Sequence, residues 1–295
     1  GGAGFDAMQA GQSQTVTLTP YQVLNVQSDQ DMSDLTGTVI TSNKPVAVWG
    51  GHQGAISADQ CCADHVEQQL FPTNTWGKTY VAVKSQPRGV EKDYWRIVAS
   101  KDLTQVSFYP AGVHQTISLN RGEWAEFQTD KDFVIKANQP VMVAQTLPSS
   151  FEITGVYPCF SNADCVSGYE CFLSECYPID SSCPGPGVGC SNGHICVCEA
   201  DLFGQSCTCQ PIGDPALILS APVEQYRDSY VFLTPTNYAF DYVNLVAPVG
   251  ALVTLDGTTL GAGSFSAIPG ESYMVARLAV GDGVHSIEST EPVGV

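Results

Sequence analysis

The sequence is poor in positive charge. Its 295 residues carry 12 Lys and Arg against 30 Asp and Glu, a formal charge of −18. A surface of that sign repels phosphate backbones and anionic lipid, so neither nucleic-acid nor membrane-surface partners are expected. Charge of either sign is scarce, at 14% of residues against an ordinary share of about a quarter. Ser, Thr, Asn, Gln and Gly supply the polarity instead, a balance that suits an extracellular or cell-surface β protein. No run approaches the roughly 18 apolar residues of a membrane helix, so no membrane insertion is expected. The absence of any Asn-X-Ser/Thr sequon favours a bacterial over an animal secreted source. Gly1-Gly2-Ala3-Gly4-Phe5 offers neither an initiating Met nor a basic-then-apolar leader, and the chain reads as a processed or internal fragment of a secreted protein. His-Glu-x-x-His and Ser-x-x-Lys are both missing, and neither an enzyme nor a cofactor is expected.

What is present is a repeat. Val39-Ile40-Thr41-Ser42-Asn43-Lys44-Pro45-Val46-Ala47-Val48 returns as Val134-Ile135-Lys136-Ala137-Asn138-Gln139-Pro140-Val141-Met142-Val143, and again as Ser286-Ile287-Glu288-Ser289-Thr290-Glu291-Pro292-Val293-Gly294-Val295. Each copy has an apolar strand, a polar stretch, a proline and a second alternating strand. That pattern predicts a turn joining two short strands, with the proline at a strand's start because it has no N–H to donate. Asp64, Pro72, Trp76, Tyr80 and Val81 stand 150 positions before Asp214, Pro222, Tyr226, Tyr230 and Val231, whereas the first two prolines are 95 apart. The second copy therefore holds about 55 extra residues, and these are the cysteine-rich stretch. The third copy stops at Val295 with its second strand barely begun, which predicts a truncated end.

Short runs rich in β-branched and aromatic residues fill the repeat: Thr15-Val16-Thr17-Leu18, Tyr80-Val81-Ala82-Val83, Trp95-Arg96-Ile97-Val98, Val106-Ser107-Phe108 and Trp124-Ala125-Glu126-Phe127. Asn120-Arg121-Gly122 marks a turn, and Asp256-Gly257 between two apolar runs predicts a tight hairpin. The segment from Ala63 to Leu70 reads as strand because it matches Ala216-Leu217-Ile218-Leu219. The expectation is an all-β chain of two repeated β-sandwich-like units, the alternative being a propeller-like arrangement of blades. The divisions expected are an N-terminal segment at 1–14, a first β unit and the start of the second at 15–157, an inserted module at 158–210, and the rest of the second unit at 211–295.

Ten of the twelve cysteines fall in the insert: Cys159, Cys165, Cys171, Cys176, Cys183, Cys190, Cys196, Cys198, Cys207 and Cys209. At that density disulfides substitute for a hydrophobic core. Zinc is the rival, but the even count and the spacings of five or six favour disulfides. Cys196-Val197-Cys198 followed by Phe203-Gly204 and Cys207 resembles the last half of an EGF-like module. That resemblance implies a Cys198–Cys207 bridge. Cys159, Cys165, Cys171 and Cys176 are similar in spacing to a four-cysteine knot of bacterial surface proteins.

Asp34-Leu35-Thr36-Gly37-Thr38, Asn43-Lys44-Pro45-Val46-Ala47-Val48, Gly50-Gly51-His52, Asp64-His65-Val66-Glu67-Gln68-Gln69-Leu70-Phe71-Pro72 and Trp76-Gly77 occur in that order. Together they resemble the IgG-Fc-binding-protein N-terminal domain, found in a mucus-associated animal protein and in large bacterial surface proteins. The resemblance covers about 15–157 and 211–295, and it implies an extracellular adhesion or matrix role without implying antibody binding. In that family a cysteine after the Gly-His pairs with one before the Asp/Asn-His. Here Gly54 stands near the first place and Cys61 and Cys62 near the second. A vicinal Cys61–Cys62 bridge, a link to another chain and a misassigned residue are all open.

Other clusters have plainer readings. His52, Cys61, Cys62 and His65 have zinc-ligand chemistry, yet thiols in an oxidising compartment pair with each other and lone histidines are usually structural, so no metal is expected. Asp29, Asp31 and Asp34 miss the EF-hand register, which needs glycine where Asp34 stands, and read as a solvated turn. Gly185-Pro186-Gly187-Val188-Gly189 follows no strand and is no phosphate loop. Asp93 and Asp241 share one repeat position and read as scaffold. The function expected is a structural or adhesive surface module, as a fibre subunit that accepts a strand from another copy by β-augmentation. The alternative is a module recognising a surface protein or glycan, with a hydrolase last.

Overall fold

The computed structural model describes residues 6–29, 33–56, 63–149, 161, 163, 215–236 and 240–295 in full, and the backbone alone of five strands between 169 and 211. The fold is all-β. The first strands are β1 (Trp49–Ala55), β2 (Asp64–Gln69), β3 (Gly77–Ala82), β4 (Asp93–Ala99), β5 (Thr104–Tyr109), β6 (Ile117–Leu119), β7 (Trp124–Thr129) and β8 (Phe133–Leu147). In the insert lie β9 (Tyr169–Phe172), β10 (Glu175–Pro178), β11 (Gly189–Cys190), β12 (His194–Asp201) and β13 (Gly204–Pro211). Then come β14 (Ala216–Leu219), β15 (Arg227–Thr234), β16 (Asp241–Pro248), β17 (Val253–Leu255), β18 (Thr258–Thr259), β19 (Ser266–Ala267), β20 (Tyr273–Val280) and β21 (Gly283–Val293).

β8 organises the first unit. Its first half pairs with β5 and β3, giving the layer β6-β5-β8-β3. Its second half pairs with β4 and β14, giving the layer β7-β4-β8-β14. Alternation sends Tyr80, Trp95, Ile97, Val106, Phe108, Phe133, Ile135, Val141 and Val143 between the layers, where all are buried. The expected turn at Pro140 is instead a bend inside one strand of 15 residues. A proline can sit there because its carbonyl still accepts from the Ser100 backbone N–H and hydroxyl, while its missing N–H falls where the strand changes layers.

The second unit repeats the plan. β18-β17-β21-β15 corresponds to the first layer and β19-β20-β16 to part of the second, with Val243, Leu245, Ala247, Val253, Ala276 and Ile287 between them. Asp256 and Gly257 have φ of 50° and 75°, the left-handed geometry the Asp-Gly hairpin requires.

Residues 15–18, expected as a strand, carry none, and neither do residues 39–42. Their place in the repeat explains this. Thr19–Gln22 forms the same turn as Asn120–Glu123: Gln22 N–H donates to the Thr19 carbonyl at 3.1 Å and Glu123 N–H to the Asn120 carbonyl at 2.9 Å. In each turn the third residue has positive φ, 66° at Tyr21 and 80° at Gly122. Residues 15–42 thus carry the pattern of β6, β7 and the first half of β8, and among the described residues no counterparts of β3, β4 and β5 pair with them. A strand pattern with no partner to pair with stays unpaired.

Candidate interaction surface at the junction of the two units

The bend in β8 is pinned by a tyrosine. The Tyr80 hydroxyl donates to the Val141 carbonyl at 2.5 Å and accepts from the Gly77 N–H at 3.2 Å. Burial pushes this phenol up to about 12. In the second unit the Tyr230 hydroxyl donates to the Val293 carbonyl at 2.8 Å and accepts from the Arg227 N–H at 3.0 Å. The lock is repeated because each unit must hold the chain where it leaves one layer for the next.

Past that bend, the strands that begin the second unit complete the first. Asp93, on β4, is buried and accepts from the Ser85 N–H at 2.6 Å, the Ser85 hydroxyl at 2.9 Å and the Gln145 amide at 2.5 Å, with Lys84 Nζ at 3.0 Å. Lys84 also meets buried Glu91 at 3.1 Å. Gln145 stands on the second half of β8, so the junction closes a fully hydrogen-bonded carboxylate inside the first unit.

The layer faces meet too. Val81 of β3, Val83 just after it and Val134 of β8 pack against Tyr226, Val246, Ile268 and Val275 of the second unit, with Val223 and Tyr273 at the margin. Burial pushes the Tyr226 and Tyr273 phenols up. Around this apolar patch run polar ties: Glu224 accepts from the Lys78 and Thr79 N–H groups at 2.8 and 3.2 Å, Lys136 meets Glu271 at 2.7 Å, and Arg277 bonds Asp132 and the Lys84 carbonyl. Gly77 lies so close to Pro222 that a Cβ there has no room, and Gly294 lies likewise against the Tyr226 ring.

The same face of the second unit is open. Val231 stands where Val81 stands and Leu233 where Val83 does, but Val81 is 7% exposed and Val231 74%. Leu233 and its cross-strand neighbour Val284 are exposed as well. The edge of β16 is open too. β4 pairs on one side with β7 and on the other with β8. β16 pairs along its length with β20, and among the described residues only Val246 is paired on its other side, with Gly294. That bridge has the register of Val98 with Met142, so it is the first rung of the missing ladder.

The β1–β2 hairpin is a two-stranded sheet on its own, with β2 beside β14. It holds the repeat position of the second half of β8 and β14, as two equivalent hydrogen bonds show: Leu70 N–H to the Val48 carbonyl and Ser220 N–H to the Val143 carbonyl, each 2.9 Å. Nearby, Arg96 bonds Asp34 at 2.6 Å, Thr36 Oγ1 at 2.7 Å and Glu126 at 2.8 Å, and lies over the Trp124 ring. Burial opposes ionisation of Asp34, but the bonds from Thr36 and the Arg96 charge win and hold its carboxyl below the usual value.

Asp34 is thus engaged with Arg96 and Thr36, while Asp31 lies outside the described residues and Asp29 stays in an exposed turn. His52 accepts from Gly54 N–H at 3.0 Å and His65 meets Glu67 at 3.4 Å. Cys61, Cys62, Cys159, Cys165 and Cys183 lie outside the described residues, as do 185–188. Of the remaining cysteines the backbone alone is described: Cys171 faces Cys176, Cys198 faces Cys207, and Cys196 faces Cys209 in antiparallel register. Leu147 faces Ala216, so residues 148–215 leave and return at one hairpin tip. Glu224, Arg277, Val231 and Leu233 were not singled out by sequence. The 150-residue offset that paired Val81 with Val231 held the signal for the last two.

No solved structure matches the chain. The human IgGFc-binding protein is 27% identical over 293 residues, 97% of this chain and 4% of that protein. The family model described as IgGFc binding protein matches residues 1–170 and 191–295, and the chain belongs to that family.

Proposed function

We propose that this chain is an extracellular structural or adhesive module whose units join end to end, each completed by the first two strands of the next. The observation that supports this is β8, which serves two units without interruption. Sharing a strand removes the exposed edges that otherwise invite uncontrolled pairing. The cysteine-rich excursion, EGF-like in its last half, leaves and returns where Leu147 faces Ala216, and Cys198 bridges Cys207 within it. Surface protein or glycan ligands are the second reading. The family relative is named for binding IgG Fc, and the cysteine-rich excursion is the element assigned to meet such a partner.

Electron microscopy of native material, with and without reductant, tests the first reading. Regular rods with a unit-length repeat are expected. Isolated particles of variable outline would sink it. Rods lost on reduction would place Cys61 or Cys62 in inter-chain links.

A further inference from the structure

Both halves of the unit junction are present on this one chain: among the described residues the free side of β16 is paired at Val246 alone, and β1 is paired with β2, while Val98 is already buried and Trp124 lies under Arg96. We propose that the open end of the second unit, formed by the β16 edge and the face of Val231, Leu233 and Val284, docks the β1–β2 end of a second copy head to tail. The proposal rests on the end-to-end reading above and gives it a site and a partner.

The internal junction supplies the template. There, the strand after Pro140 runs antiparallel along β4 from Ala99 to Tyr94, opposite Val141 to Thr146. The strand after Pro45 carries the same alternation and ends in β1, whose one described partner is β2. Laid on β16 in that register, it continues past Gly294 along the main-chain groups of residues 241–245. The face contact follows from the same placement. Trp76 stands at the repeat position of Tyr226 and Val98 at that of Val246, and Trp124 at that of Val275 by strand register. These three residues would cover Val231, Leu233 and Val284 as Tyr226, Val246 and Val275 cover Val81, Val83 and Val134.

Residues 34–44 must swing away from the site, because in the docked register they coincide with β21 of the first copy and the residues just before it. They belong to no strand, so no ladder hydrogen bond opposes the move, which gives up the Arg96 bonds to Asp34 and Thr36. A contact between different patches on identical chains does not close on itself, and further copies add in the same direction.

Sedimentation of the full chain over a wide concentration range tests this, alongside two variants. Val231→Glu/Leu233→Glu alters exposed residues in the docking face and leaves the fold intact. Val249→Glu/Leu252→Glu places the same charge on exposed residues outside it. Concentration-dependent association is expected, weakened about tenfold or more by the first pair and unchanged by the second. A peptide of residues 45–55 is expected to compete and to slow amide exchange at 241–245. A chain that stays monomeric throughout overturns the proposal, as does association indifferent to Val231→Glu/Leu233→Glu. A monomer whose 241–245 amides the peptide still protects also overturns it, showing an edge that takes a strand from a unit within one longer polypeptide. That last result leaves the end-to-end reading intact, whereas isolated particles by microscopy remove both.

Discussion

Val81 and Val231 occupy the same place in β3 and β15, and Tyr94 and Tyr242 the same place in β4 and β16. In the first unit Val81 is covered and Tyr94, between two paired strands, is 8% exposed. In the second, Val231 is bare and Tyr242, paired on one side, is 45% exposed. The residue types barely change between the units. What changes, among the described residues, is whether another unit packs against the face. Side chains here are chosen for a neighbour as much as for their own core, and the second unit keeps an apolar face whose counterpart in the first is buried.

The sharpest way to break the comparison is to place a charge at both positions. Val81→Asp buries an unpaired carboxylate in the junction and is expected to cost about 3 kcal/mol or more, while Val231→Asp is expected to stay within about 0.5 kcal/mol. Urea unfolding of each variant measures both. Equal costs would mean that the two faces are equally covered in solution. Asp93→Ala comes next. It leaves Lys84 buried beside one carboxylate fewer and removes the acceptor of Ser85 and Gln145, a loss of about 3–5 kcal/mol, whereas Asp241→Ala at the partly exposed equivalent is expected to cost less than about 1 kcal/mol. A large effect at Asp241 would show that the second unit closes a network of its own.

Tyr80→Phe and Tyr230→Phe probe what the units share. Each removes one hydroxyl that donates to a carbonyl just past a proline bend, and each is expected to cost about 1 kcal/mol. Unequal losses, read from thermal melts of the two variants, would show that only one bend depends on its lock.

The smallest effect separates the units by pH. At the position where β8 has Phe133, β21 has His285, which lies 2.8 Å from Asp256 and also hydrogen-bonds the Gly281 carbonyl. The Asp256 contact raises the imidazole above its ordinary 6.5, and the same bond lowers the Asp256 carboxyl below 3.8. A raised base stabilises fully below its unfolded value and ceases to as pH climbs through the folded one. The lowered acid stabilises above its unfolded value and ceases to as pH falls through the folded one. The pair therefore supports the second unit most between about pH 4 and 6.5 and fades at both sides. His285→Phe is expected to flatten the melting temperature against pH across that upper limit, and an unchanged slope would assign the dependence elsewhere.

Much of this plan was legible in the sequence. The 150-residue offset aligned Tyr80 with Tyr230 and Pro72 with Pro222, and the surplus placed the insert in the second copy. Alternation named the core strands, and Asp256-Gly257 named its hairpin. Partnership was hidden. Residues 39 and 40 alternate as 134 and 135 do, yet the former are exposed and the latter buried, because periodicity records which side chains suit a sheet and not whether a second strand is within reach. The Pro140 bend was misread for a related reason: a proline removes a donor, which fits a turn and a change of layer equally well. The partial copy at residues 15–28 was masked by its turn, where Tyr21 holds the left-handed position that glycine holds at 122.

β8 also decides how the chain answers a pull. Tension applied through the backbone enters the strand at one end and leaves at the other, with β3 and β5 flanking its first half and β4 and β14 its second. Load directed along a strand shears its flanking hydrogen bonds together instead of unzipping them one by one. Load carried along β8 is therefore met by both of its ladders in shear.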